Sequence, residues 1–375
     1  MDTLVIVSLR GGADGLNMVV PHGDGDYAGL RPLLSVPRAS VLDLDGFFGL
    51  HPALSPLLPL YRDGELALVH AIGWPGDTNH SHFEAWDEIE SGASGDERPR
   101  SGWLARALSL RGDRGALPAV VFGDTLPRLA MGAPGTVLLR SLADHRLALP
   151  EPGPFRTALA RLHGESALPI RESATATFRA LDTLAKLARH AEPASGYPRT
   201  RFGRELAMIG QLVNAEIGVA AAVADLGGWD THFLQGVTQG PMPSLLAELS
   251  SALAAFTKDV GPRWKRVAVL VHTEFGRRAS ENGSGGTDHG QGGVALLAGG
   301  SVRGGRVAGV WPGLSPGALS GPGDLAITTD LRELFAEAVA ALVGDDAGMN
   351  AAPSVFPCFT PKGGLELLPR VRSAA

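Results

Sequence analysis

Short apolar runs that stop at glycine recur along the chain. The first covers residues 4–9, is rich in β-branched side chains, and ends at Arg10-Gly11-Gly12. A run without polar alternation is what a parallel strand buried on both faces requires. The same pattern predicts strands at 66–72, 118–122, 267–271 and 294–298. Other segments carry apolar residues at helical spacing. Leu181, Leu184, Ala185, Leu187 and Ala188 mark a helix within the mainly helical stretch 155–224. Residues 244–256 and 331–342 predict two more helices, the second with Thr329 or Asp330 as its N-cap. Residues 81–90 open with a serine that can cap, followed by acidic residues in the first turns. The small apolar run 219–224 reads as the last turns of a helix or as a buried strand, and the Gly227-Gly228 break after it favours a strand.

Strands alternating with helices predict an α/β fold: a mostly parallel central sheet with helices on both faces. The expected organisation is a single domain over 1–375 with a mainly helical insertion at about 155–215. In such sheets the functional site forms beyond the carboxyl ends of the strands. Composition narrows the reading further. Hydrophobic residues make up 44% of the 375, enough for a sizeable core. A net charge of −6, with no basic run, argues against nucleic acid as a partner. Cys358 is the only cysteine, so neither an intrachain disulfide nor a cysteine-based zinc site can form. The N-terminal apolar run is too short to span a membrane and lacks the basic flank of a signal peptide. That points to the cytoplasm for the chain as given, and to export if an N-terminal signal precedes it.

Four polar clusters follow predicted strands. They are Gly11-Gly12-Ala13-Asp14-Gly15, Thr78-Asn79-His80-Ser81-His82, Gly228-Trp229-Asp230-Thr231-His232, and Thr273-Glu274-Phe275-Gly276-Arg277 with Gly286-Thr287-Asp288-His289. Each has an ordinary explanation. Asp14 between glycines suits a turn. His80 and His82 suit a helix start. Glu274 can pair with Arg277 or Arg278 at the surface. Asp230-x-His232 is a common pattern, although two residues spaced by two in an extended segment face one way. Their joint placement after strand ends is what singles them out. Mixed carboxylate and imidazole donors suit zinc, manganese or iron better than calcium.

These segments, together with Ser8-Leu9-Arg10-Gly11-Gly12-Ala13-Asp14-Gly15-Leu16-Asn17 and Ser81-His82-Phe83, resemble a bacterial family, domain of unknown function 1501, grouped with the alkaline phosphatase and sulfatase superfamily. The resemblance runs from the first strand to Val355-Phe356-Pro357. It implies an alkaline phosphatase-like fold and one or two divalent ions, zinc or manganese, flanking a hydroxyl nucleophile at a helix start. It places Ser81 first and Thr78 second as that nucleophile, with His82 beside them. Asp14, Asp230, His232, Glu274, Asp288 and His289 are the implied metal residues. Two alignments of the last segments are open. In one, Asp288-His289 is the Asp-His pair that ends the last strand in related enzymes. In the preferred one, Glu274 takes that place, Phe275 stands where a histidine ligand would sit, and Asp288 supports a ligand from behind. One ion would then be held by Asp230, His232 and His289, and a second, weakened site by Asp14 and Glu274. The implied function is metal-dependent hydrolysis of phosphate or sulfate esters on a small anionic substrate. The alternative is a non-catalytic binding protein with a degenerate metal site.

Overall fold

The computed structural model describes residues 1–76, 81–95, 98–111, 117–133, 135–142, 152–190, 195–344 and 350–369. Its strands in chain order are β1 (Thr3–Arg10), β2 (Val19–Val20), β3 (Leu42–Asp43), β4 (Gly49–Leu50), β5 (Leu66–Gly73), β6 (Ala119–Phe122), β7 (Thr136–Leu139), β8 (Ala221–Gly227), β9 (Val267–Thr273), β10 (Gly293–Ala298), β11 (Arg306–Ala308) and β12 (Thr329–Asp330). The main sheet runs β11-β5-β10-β9-β1-β8-β6-β7, with β12 also on β5. A small antiparallel sheet joins β2, β4 and β3. In the main sheet β10 alone is antiparallel to its neighbours β5 and β9, and the other pairings are parallel. The molecule is therefore α/β with a mostly parallel central sheet.

Strand β1 shows why both faces are covered. Its register fixes Val7 beside Ala224 on β8 and Val271 on β9. Alternate side chains then enter opposite cores. Val5, Val7 and Leu9 pack with Leu206 and Ile209 of the helix Arg201–Asn214 and with Leu249 and Phe256 of the helix Pro241–Val260. Leu4 and Ile6 pack on the other side with Leu104 of the helix Trp103–Arg111 and with Leu334, Phe335 and Val339 of the helix Leu331–Val343. Each such aliphatic side chain contributes about 1.5–3 kcal/mol relative to exposure. Unbroken apolar runs are legible because both faces are dry.

The ambiguous run 219–224 enters strand β8, not a helix end. Asp330 caps the helix Leu331–Val343, accepting from the Arg332 N–H at 2.9 Å. Between residues 152 and 214 lie the helices Pro152–Gly164, Leu168–His190 and Arg201–Asn214. Among the described residues no helix is long and apolar enough to cross a membrane.

Candidate metal centre

The parallel strands deliver their C-terminal ends to one edge of the sheet. There β1 leads into Gly11-Gly12, β8 into Asp230, and β9 into Glu274. Strand β5 leads toward the helix His82–Ser91. Because β10 is antiparallel, the loop before it arrives at the same edge and brings Asp288 and His289 with it. Backbone bonds hold that loop against the β9 exit: Arg278 N–H donates to Asp288 O at 3.0 Å and Gly290 N–H to Gly276 O at 2.9 Å. Gly11 permits the close approach of the β1 turn. Its φ is +125°, and a Cβ there would lie 2.4 Å from the Asp230 backbone nitrogen.

Four donors converge at this edge. His232 Nε2 and His289 Nε2 each lie 3.0 Å from Asp230 Oδ1 and 2.9 Å from one another. Two N–H groups cannot face each other at that distance, so at least one nitrogen presents its lone pair. His82 Nε2 lies 3.6 Å from Asp230 Oδ2. One ligand atom each from His82, Asp230 and His289 fall within 4.8 Å of one another. Adjacent ligands of a tetrahedral zinc ion are about 3.4 Å apart, given bonds of about 2.0–2.1 Å, so this donor set fits a divalent cation. The outward ring nitrogens are held from behind. His82 Nδ1 pairs with Glu274 Oε1 at 2.8 Å, and His232 Nδ1 lies 3.3 Å from Asp288 Oδ1. Such outer carboxylates fix which ring nitrogen faces the metal.

The electrostatics follow from these contacts. Burial works to raise the Asp230 carboxyl, but hydrogen bonds from His289 and Arg277 and the Arg277 charge hold it down at about 2. Burial likewise opposes ionisation of Glu274. Bonds from His82, from backbone N–H groups and from the Thr273 hydroxyl more than offset it, and its pKa falls below the usual range. His82 is raised above its ordinary value, chiefly by its hydrogen bond to Glu274. Asp288 is lowered, first by the Asn282 side chain.

The structure thus brings Asp230, His232 and His289 together, adds His82 as a donor, and sets Asp288 and Glu274 behind two imidazoles. Asp14 does not join them. It is fully buried, and its Oδ2 accepts from Arg31 Nη1 at 2.5 Å and Gln235 Nε2 at 2.7 Å. Phe275 is buried, with its ring 4.6 Å from His289 and 5.0 Å from His82, centre to centre. Ser81 occupies the N-cap position of the helix His82–Ser91 with extended backbone, and its hydroxyl does not cap the helix. Thr78 lies outside the described residues.

Arg277 is the residue that pattern reading misplaces. Its side chain is buried, not at the surface. Nε donates to Gly12 O at 2.5 Å, Nη1 to Thr287 O at 2.7 Å, and Nη2 to Trp229 O, Asp230 Oδ1 and Gly11 O. It therefore ties three strand-end loops to the carboxylate. Its only sequence signal is its place shortly after a buried strand, which an exposed arginine shares.

Fold and site together define an α/β protein with a carboxylate–imidazole cluster at the C-terminal edge of its sheet. Residues 77–351 match the family described as protein of unknown function (DUF1501), and the chain belongs to that family. A comparison with curated proteins finds no match. Among solved structures the chain is similar to Ps i-CgsB in complex with k-i-k-neocarrahexaose, at 8% identity and a TM-score of 0.37, covering 90% of this chain and 71% of that one. It is similar to PsFucS1 sulfatase from Pseudoalteromonas sp. at 12% identity and TM-score 0.36, covering 92% and 68%. The phosphonate monoester hydrolase of Agrobacterium radiobacter gives 12% and 0.33, covering 82% and 70%.

Proposed function

We propose that this chain is a metal-dependent hydrolase of phosphate or sulfate esters, of the alkaline phosphatase and sulfatase kind, working with one divalent ion. The observation that supports it most is the convergence of His82, Asp230 and His289 donor atoms within 4.8 Å, with His232 Nε2 beside them. These residues would hold the ion, and zinc or manganese suits the donor set. When bound, such an ion supplies Lewis-acid polarisation of an ester oxygen. Glu274 and Asp288 orient His82 and His232. Arg277 fixes Asp230. Ser81, at a helix N-terminus that favours an anion, is the nucleophile of choice, and Thr78 the second. A second ion at Asp14 finds no support, because Arg31 already neutralises that carboxylate.

The test is turnover of 4-nitrophenyl phosphate and 4-nitrophenyl sulfate by metal-stripped protein reloaded with zinc or manganese. The expected result is metal-dependent release of nitrophenol, lost by orders of magnitude in the Ser81→Ala, Thr78→Ala double variant. Activity no higher in the native protein than in that variant would sink the hydrolase reading and favour a binding protein with a degenerate site.

A further inference from the structure

We propose that the ester taken at this site carries one anionic group on an uncharged, polyhydroxylated ring. The ring lies on Phe83 and is read by ion-paired carboxylates and arginines behind it. The ester part rests on the hydrolase reading, and the ring part rests on the cavity alone.

The donor cluster opens into a cavity of about 710 Å³. One stripe of the helix His82–Ser91 forms a wall of it: His82, Phe83, Trp86, Asp87 and Glu90, at the spacing that puts side chains on one helical face. Phe83 directly follows a donor histidine and is 89% exposed. Packing gives no reason for a phenylalanine there, whereas an aromatic face beside the reacting end of a cavity is a stacking platform for a ring.

The polar part of the wall is of a particular kind. Arg10 Nε donates to Asp225 at 2.6 Å and Nη2 to Glu90 at 2.8 Å, and its guanidinium lies 4.1 Å from the Trp86 ring centre. Arg128 pairs with Asp87. Both arginines are therefore rigidly held, and both sit beside carboxylates with acceptor capacity left over. Arg10 Nη1 has no partner among the described residues. Donors and acceptors side by side match hydroxyl groups, each of which gives one hydrogen bond and takes others.

Charge decides against a polyanion. Five carboxylates line the cavity, and four guanidiniums pair with them: Arg10 with Glu90 and Asp225, Arg98 and Arg128 with Asp87, and Arg277 with Asp230. A divalent ion at the donor cluster would turn this small negative excess into a small positive one and leave room for a single anionic group there. A second anionic group on the substrate would lie against Asp87, Glu90 and Asp225, where each neighbouring guanidinium is already paired and no net positive charge is left to hold it. Nucleotides and multiply esterified sugars are disfavoured on this ground.

The experiment has two arms, each run on the full-length, metal-loaded chain and its Phe83→Ala and Phe83→Trp variants. Phe83 is exposed, so an unchanged melting temperature should show that both variants fold. In the first arm, saturation-transfer NMR is recorded with the methyl glycosides of glucose, galactose, mannose and xylose. At least one should bind, with its signal weakened about tenfold or less in Phe83→Ala, the range expected for loss of one stacking contact, and restored in Phe83→Trp. No binding by any of the four, or binding indifferent to Phe83→Ala, overturns the ring site. In the second arm, kcat/KM is compared for sugar monophosphates and monosulfates and the same sugars carrying a second ester. The monoester should be favoured about tenfold or more, and equal or better use of the doubly charged sugar overturns the charge argument. Nitrophenyl ester turnover without glycoside binding would refute the ring and leave the hydrolase standing. Glycoside binding that depends on Phe83, without turnover of any ester, would do the reverse.

Discussion

Arg31 reaches Asp14 from seventeen residues along the chain, and both side chains are fully buried. Arg31 also donates to Asn17 Oδ1 and to the carbonyls of Ala279 and Arg278 at 2.8 Å each. Nothing in the spacing of the two residues announces the pair. An aspartate after a buried strand looks alike whether it meets a metal or a guanidinium. Arg31→Met should cost about 3–5 kcal/mol, because it strands the Asp14 charge in the core. Adding Asp14→Asn should recover part of that loss in urea unfolding, and a double variant less stable than Arg31→Met would contradict the pairing. His70 makes a separate prediction about pH. Its Nε2–H donates to Val19 O at 2.9 Å and its Nδ1 accepts from the Ala71 N–H at 2.9 Å, so both nitrogens are satisfied in the neutral ring. Burial pushes it down to about 4, against smaller upward effects of the Val19 carbonyl and Asp14. The unfolded chain, with histidine near 6.5, then binds the proton first. The stability from this group is complete above pH 6.5 and lost as pH falls through about 4, about 3 kcal/mol in all. His272, buried and also held at about 4, acts in the same direction. Unfolding measured from pH 7 to 4 should show this decline, with a shallower slope in His70→Gln.

At the scale of elements, apolar runs marked β1, β5, β6, β9 and β10 because each is buried on both faces. Direction is another matter. The run 294–298 reads the same either way, so the antiparallel setting of β10 was invisible in it. Yet that reversal is why His289, which precedes β10, reaches the edge where Asp230 and Glu274 follow their strands. Strands of two or three residues such as β11 and β12, and the half-buried edge strand β7, carry too little pattern to be read. The donors themselves were legible as polar residues after strand ends. Arg277, which holds Asp230, and Arg31, which takes Asp14 out of the set, were not, since burial of a charge depends on tertiary partners. The β1 turn makes this scale testable. Gly11→Ala adds a Cβ where backbone stands 2.4 Å away, at a φ that L-residues rarely adopt. It should destabilise by about 2–4 kcal/mol, as strain at a special backbone position does, and should push the β1 turn against Asp230. A variant as stable as the native chain in thermal unfolding would show that the turn has slack.

For the whole molecule, the sheet works as a frame that gathers five loops at one edge and closes two apolar cores behind them. Burying the Arg31–Asp14 pair there leaves a single cluster of candidate ligand atoms among the described residues. An ion that binds only the folded chain must raise its melting temperature with concentration, by linkage. Zinc should do so for the native protein and far less for His289→Ala, while Asp288→Asn, which touches His232 only from behind, should retain a weakened effect. The most direct measurement is the number of ions bound, read by native mass spectrometry as zinc is titrated into metal-stripped protein. One tightly held ion per chain is expected, absent in His289→Ala. Two tightly held ions, or none at concentrations where the chain stays folded, would contradict the single-ion site.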